Sequence, residues 1–373
     1  MGKKDKKQKG EDLAEKDKKL AEEYRRLESS EDSAVEEDKP VEENEPVEDN
    51  EKPVEDNEEP VEDNEEPVED NEEPGEKTGG SSGSDLPPPK KRVSVFRVIL
   101  TAALVIIAAL IVTVAVNVVL NENFTVSFYQ IRSDKVSGNI RVVELADLHN
   151  KEFGKNNKKL INKIKSLRPD MIVYAGDMMN YRDSDYSVLF DLSDSLSEIA
   201  PIYACFGNNE IDQYLFEDKG FKDEWRSHNV NILSNEALDV EVSGSVVQLI
   251  AISDDLKQFD MSTNNGKKFI ENLEPTNNCR ICLTHYPELF LEKLLDRGID
   301  IAFTGHAHGG LIRLPKIGGI YSRGEGFLPK LTAGVVTVRD GAQVVISRGL
   351  GSSSIVPRIN NRPELVVVDI SWY

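Results

Sequence analysis

Five apolar, strand-like runs in this chain each end on a residue able to ligate a metal ion. They read IRVVELADLH, MIVYAGDM, IYACFGNNE, CRICLTHYP and IDIAFTGHAH, and they close on Asp147/His149, Asp177, Asn208, His285 and His306/His308. A chain that repeats this arrangement is confined to the α/β class, because open α/β sheets gather their functional residues at the carboxyl ends of the strands. Four of the chain's five histidines fall inside these strings, leaving His228, in EWRSHNVNIL, as a surface or loop residue.

Carboxylate, imidazole and amide oxygen ligands without thiolate suit divalent ions such as Mn, Fe, Zn or Ni. Seven such residues exceed one tetrahedral site but suit two ions that share a carboxylate, with Asp177 the natural bridge. Gly176, Gly207 and Gly305 directly precede three of the ligands. They permit tight turns and close backbone approach to ions or phosphate oxygens. The pattern points to phosphoryl chemistry.

The ordered set DxH, GD, GNxE, H and GHxH, over residues 138–373, resembles the calcineurin-like metallophosphoesterase superfamily. GHAHGGLIRLP, SRGLG at 347–351 and RINNRPEL at 358–365 resemble its membrane-anchored branch. The resemblance implies an αββα sandwich, two facing mixed β-sheets flanked by helices. It implies one metal on Asp147, His149, Asp177 and His308 and a second on Asp177, Asn208, His285 and His306. A bridging hydroxide then attacks phosphorus in line, with Asp147, His149 and Asn209 at the reacting centre. Arg323, Arg348 and Arg358 are candidate clamps for the substrate phosphate.

One position departs from that pattern: GNNE carries Asn209 where the family usually has a histidine. An amide donates a hydrogen bond but is no general acid near pH 7. The departure predicts a preference for aryl phosphate, nucleotide or pyrophosphate leaving groups. The expected activity is hydrolysis of a phosphate ester, phosphodiester or pyrophosphate, with a lipid-linked, UDP-diacylglucosamine-like substrate in view. The alternative is a catalytically impaired metal- and phosphate-binding surface scaffold.

Charge divides the molecule sharply. Residues 1–89 hold 13 Lys and Arg against 33 Asp and Glu, so this tail carries nearly all of the net charge of −22. The remainder is close to neutral and gives no electrostatic case for a nucleic-acid partner. Within 1–39, Leu13, Leu20, Tyr24 and Leu27 stand at heptad-like spacing and predict a short amphipathic helix. Residues 40–74 repeat PVEENE, PVEDNEK and then PVEDNEE three times. One proline and several acids per unit bury too little apolar area to offset ordering entropy, so the repeat is expected to be disordered. It reads as a solvated spacer or a tail for an unidentified protein partner. Residues 75–92 form a Gly/Ser/Pro linker with a basic flank. Lys6 stands where a myristoylation signal needs Ser or Thr.

Residues 98–120, VILTAALVIIAALIVTVAVNVVL, contain no charge. As a helix they extend about 35 Å, enough for a bilayer core of about 30 Å. Lys90, Lys91, Arg92 and Arg97 precede the run and Glu122 follows it. The positive-inside rule therefore places the N-terminus in the cytoplasm and the catalytic domain outside, on a single-pass anchor. No AxA site follows, so cleavage as a signal peptide is not expected.

Between the ligand strings, 155–167, 185–198, 266–273 and 287–297 predict helices. Residues 230–252, 333–348 and 364–371 predict strands, and Phe124–Ile131 is expected to join a sheet edge. Cys279 and Cys282 sit three apart in a strand and face opposite ways, so no disulfide is expected. Cys205 is read as a small core hydrophobe.

Overall fold

Residues 95–253, 265–339, 341–354 and 356–372 are described by the computed structural model. The helix expected within 1–39, the acidic repeat and the linker lie outside the described residues. The first described element is helix α1, Val95–Asn121. Its large apolar side chains are exposed along its length, and Asn117 is its one buried residue. Thr101 and Thr113 donate their hydroxyls to the carbonyls of Arg97 and Ala109, each at 2.8 Å. Both threonine hydroxyls are thus satisfied within the helix, as an apolar solvent would require.

After α1 the chain builds two six-stranded mixed sheets. The first uses β1 Thr125–Arg132, β2 Ile140–Leu145, β3 Met171–Ala175, β4 Ile202–Cys205, β5 Val230–Ile232 and, from the far end of the chain, β16 Glu364–Ser371. Its order is β1-β16-β2-β3-β4-β5, with β2 through β5 parallel and β16 antiparallel to β2. β1 closes the edge beside β16, as the alternation in Phe124–Ile131 predicts. The second sheet uses β6 Glu236–Val242, β7 Ser245–Ile252, β8 Cys279–Thr284, β9 Ile301–Thr304, β14 Gly334–Thr337 and β15 Gln343–Ile346. Its order is β14-β15-β9-β8-β7-β6.

Period-2 alternation sorts each strand between two cores. In β2, Val143 and Leu145 face the helices α2 Lys158–Leu167 and α3 Ser187–Ser197, while Ile140 and Val142 face the other sheet. The inter-sheet core joins Val142, Val173 and Val366 to Leu249, Ile281, Phe303 and Val345. On the outer face of the second sheet, Ile250, Cys282 and Val344 pack on Ile270, Leu289 and Phe290. The region from β1 to β16 is the expected αββα sandwich. Cys279 and Cys282 fall in different cores, and all three cysteines are free and buried.

Two departures from expectation are local. The helix expected over 287–297 is shorter and split, α-helical at Pro287–Leu289 and wider over Phe290–Leu294. It stops because Leu295 is extended and Asp296 and Gly298 adopt positive φ. Two small hairpins between His308 and Gly334 carry no sequence periodicity: Arg313–Leu314 with Gly318–Gly319 (β10, β11) and Tyr321–Ser322 with Gly326–Phe327 (β12, β13).

Candidate metal centre

All seven ligand-type residues stand where parallel strands end. Asp147 and His149 follow β2, Asp177 follows β3, and Asn208 opens the short helix α4, Asn208–Asp212, after β4. From the facing sheet, His285 follows β8 and His306 and His308 follow β9. The first sheet therefore brings four of the set and the second three, and they meet across the top of the sandwich.

The backbone there is unusual. Asp147, His149, Asp177, His306 and His308 all adopt positive φ, between 45° and 66°. Such left-handed residues turn the chain sharply back and aim side chains inward. For a non-glycine they are sparsely populated and cluster at functional sites. Main-chain hydrogen bonds hold them: the Asp147 amide donates to the Gly176 carbonyl at 3.0 Å and the His149 amide to the Asp177 carbonyl at 3.2 Å.

Two clusters have ligand atoms all within 4.8 Å of one another, Asp147/His149/His308 and Asp147/Asp177/His285. Asp177 Oδ2 lies 3.4 Å from His285 Nε2 and 3.8 Å from His149 Nε2, so it reaches both halves. Asp147 Oδ1 does the same, 3.7 Å from His308 Nε2 and 3.9 Å from His285 Nε2. Geometrically Asp147 is thus as central as Asp177. His306 joins through Nδ1, 3.3 Å from His285 Nε2.

The donor set fits divalent cations. Asp147 Oδ2 is buried with no hydrogen-bond partner among the described residues. The Asn208 carboxamide stands beside Asp177; with its nitrogen toward the carboxylate it donates to Oδ2 at 3.3 Å while its oxygen accepts from the Asn209 carboxamide at 3.1 Å. Outer partners fix the ring nitrogens: His285 Nδ1 lies 2.8 Å from the Ala175 carbonyl and His149 Nδ1 lies 3.1 Å from Asn180 Oδ1. Each leaves Nε2 facing the centre, a common way to orient metal-binding imidazoles.

Without a cation, the charges balance among themselves. Burial pushes Asp147 up to about 7. Burial would also raise Asp177, yet the facing His285, its hydrogen bond and His149 hold it far below the carboxylate range. For His285, burial favours the neutral ring, but Asp177 and then Asp147 outweigh it and raise the group to about 10. Burial and the neighbouring His285 push His306 down to about 3, and burial lowers His149 and His308.

Asn209 is buried at the rim of this cluster and faces inward. Its Nδ2 donates to Asp177 Oδ2, and its Oδ1 accepts from the Tyr181 amide at 2.8 Å. The three candidate arginines part company. Arg358 is buried; its donors go to the carbonyls of Gly351 and Arg348, and Nη2 stands 3.3 Å from His308 Nδ1. Arg348 pairs with Glu364 Oε1 at 3.1 Å and with Thr125. Arg323 is exposed and near enough for its charge to depress His306. His228 lies apart, stacked on Phe190 and bonded to Asp194 Oδ2 at 2.9 Å.

Three residues were given no role in the sequence reading. Glu210, the last residue of GNNE, accepts from the amides of Asp177, Met178, Met179 and Gly207, all at 2.7–3.2 Å. It locks two ligand loops together. Asn180 orients His149, and Asn361 donates to the carbonyls of His308 and Leu311. Glu210 and Asn361 lie in the GNxE and RINNRPEL strings, and Asn180 lies three residues after Asp177.

Comparison with known proteins agrees with this geometry. Residues 140–310 match the calcineurin-like phosphoesterase family. The chain is 26% identical over 239 residues to phosphodiesterase YaeI of Escherichia coli, covering 62% of this chain and 82% of that protein. It is 25% identical over 286 residues to UDP-2,3-diacylglucosamine pyrophosphatase LpxG of Chlamydia muridarum, covering 61% and 83%. It is 25% identical over 227 residues to the uncharacterized protein YpbG of Bacillus subtilis, covering 61% and 79%. Residues 140–310, which hold all seven ligand-type residues, thus match a calcineurin-like phosphoesterase domain, and two of these relatives bear phosphodiesterase and pyrophosphatase names.

Proposed function

We propose that this chain is a membrane-anchored phosphoesterase that hydrolyses phosphodiester or pyrophosphate bonds, with a lipid-linked substrate. The observation that carries the reading is the convergence of Asp147, His149, Asp177, His285, His306 and His308, with an orphaned carboxylate oxygen among them. Two divalent ions, Mn, Fe, Zn or Ni, would supply Lewis-acid stabilisation of the phosphoryl oxygens and acidify a water. One would rest on Asp147, His149, Asp177 and His308, the other on Asp177, Asn208, His285 and His306.

The protein's own groups do the positioning. His149 and Asp147 would hold the metal at the reacting centre, and Asn209 would offer an amide where proton donation helps a poor leaving group. Of the three candidate arginines, exposed Arg323 is the one without a partner among the described residues and so is placed to meet the substrate phosphate. Helix α1 serves as a single-pass anchor with its basic flank in the cytoplasm and the domain outside. The acidic tail is left as a cytoplasmic spacer or partner site.

Full-length chain in detergent, supplied with each metal in turn, tests the reading on aryl phosphomonoesters, aryl phosphodiesters and a nucleotide pyrophosphate. Metal-dependent turnover absent from Asp177→Ala is the expected result. A second reading, a metal- and phosphate-binding scaffold, draws support from Asn209, whose amide is directed at Asp177. It predicts metal loading without turnover of any activated ester.

A further inference from the structure

A cavity of about 260 Å³ lies where α1 meets the domain, lined by Asn117, Leu120, Thr125, Arg348, Asn360 and Arg362. Its lining includes none of the metal-ligand residues. The segment after β15 separates it from that centre. Arg348 lines the cavity, while a Cβ on Gly349 would lie 2.6 Å from Asp147 Cβ.

The charge of Arg348 is matched by Glu364, whose carboxylate also accepts the Arg348 amide at 3.0 Å. Arg362 is different. Its Nε is buried and has no partner among the described residues. The residue lines the cavity and has no acidic partner among the described residues, so its charge is left to an anion that enters there. A phosphate oxygen matches the fork geometry of a guanidinium.

The location selects the source of that phosphate. Leu120 is the last apolar residue of the uncharged run, and Asn117 is the one buried residue of α1. If α1 spans a bilayer, as the proposed function holds and on which this inference rests, the cavity lies at the level of the lipid headgroups. The β10–β11 hairpin continues the same surface. The amide of Asn360 donates to Asn117 at 2.7 Å, and its side chain donates to the Arg313 carbonyl at 3.0 Å. From that anchor the hairpin exposes Leu314 (44%) and Ile317 (60%), with Lys316 between them. Apolar tips flanking a cationic cavity at the end of an apolar helix suit lipid rather than bulk solvent.

We infer that the cavity at the α1–domain junction binds the phosphate of an anionic phospholipid headgroup on Arg362, at a site apart from the metal centre. The test is native mass spectrometry of the full-length chain in non-ionic detergent with phosphatidylglycerol, phosphatidylcholine or inorganic phosphate. Phosphatidylglycerol is expected to bind in preference to both others. Arg362→Ala should weaken it about tenfold or more, the scale of one charge-assisted hydrogen bond. Arg362→Lys, which keeps the charge but lacks the Nε–H, should weaken it less, and Asp177→Ala should leave it unchanged. Equal binding by folded Arg362→Ala and wild type overturns the inference. So does inorganic phosphate binding with no preference for lipid. Carbonate extraction of membranes reports the anchor separately. A chain released by carbonate removes the anchoring reading, whereas a retained chain with no lipid preference removes only the headgroup site.

Discussion

Asn209 grips both oxygens of Asp177, its main-chain amide donating to Oδ1 at 2.9 Å and its carboxamide nitrogen to Oδ2 at 2.7 Å. The residue that stands in the leaving-group position of the resemblance therefore also orients a carboxylate central to the ligand cluster. Two consequences separate. Asn209→Ala removes the Oδ2 donor and should lower metal affinity by about 10–100-fold, as loss of an outer partner does. Asn209→His restores an acid and should raise turnover of alkyl relative to aryl phosphates, by up to about 10²-fold. Titration of metal into each variant and a leaving-group series check the pair; an unchanged alkyl-to-aryl ratio in Asn209→His would refute the acid argument.

Metal loading should release protons. Ligation needs Asp147 ionised and His285 neutral, whereas in the cation-free domain burial holds Asp147 near 7 and Asp177 holds His285 near 10. Both folded values lie above the unfolded ones. Each group therefore stabilises the cation-free fold most below its unfolded pKa, and that contribution disappears as pH rises through about 7 for Asp147 and about 10 for His285. Metal affinity rises over the same window. The gap in Tm between metal-loaded and chelated protein should widen from about pH 6 to about pH 9. A gap that stays constant would contradict it.

Gly349 has φ +72, and a Cβ there would meet Asp147 Oδ2 at 2.7 Å. Gly244, in the β6–β7 turn, has φ +77 and nothing within 4 Å. Alanine at either position incurs the left-handed backbone cost of about 1 kcal/mol or somewhat more. Only Gly349→Ala should also lose bound metal. Elemental analysis beside thermal melting distinguishes them, and equal metal content in both variants would show that the close approach to Asp147 is tolerated.

Glu210→Gln exchanges a carboxylate facing four amide donors for a group that presents its own N–H to some of them. Loss of one or two charge-assisted hydrogen bonds in a buried site predicts a destabilisation of about 2–4 kcal/mol. Urea unfolding of the chelated protein measures it; a change below about 1 kcal/mol would mean the amides find other acceptors.

The gathering of ligand-type residues at strand ends was legible because an apolar run followed by Asp, Asn or His reports a strand and its end together. Helix α1 was equally legible from its lack of charge. Other features depend on three-dimensional placement that no local pattern encodes. Arg358 and Arg348 read as phosphate clamps from their glycine-rich setting, but the fold directs them to carbonyls and to Glu364. The equal centrality of Asp147 arises from the approach of β9 to β2, residues some 160 apart in sequence. The β10–β13 hairpins have strands of two residues each, too short for any period to register.

The positive φ at five of the ligand residues narrows the alphabet before coordination chemistry is consulted. Asp, Asn and His tolerate left-handed backbone far better than branched or bulky residues, and the same three supply oxygen and nitrogen donors to divalent ions. At Asp147, His149, Asp177, His306 and His308 the demands of the turn and the demands of the ion coincide. A ligand exchanged for a donor that the turn rejects would lose its aim along with its place in the backbone, even where the new side chain carries suitable atoms.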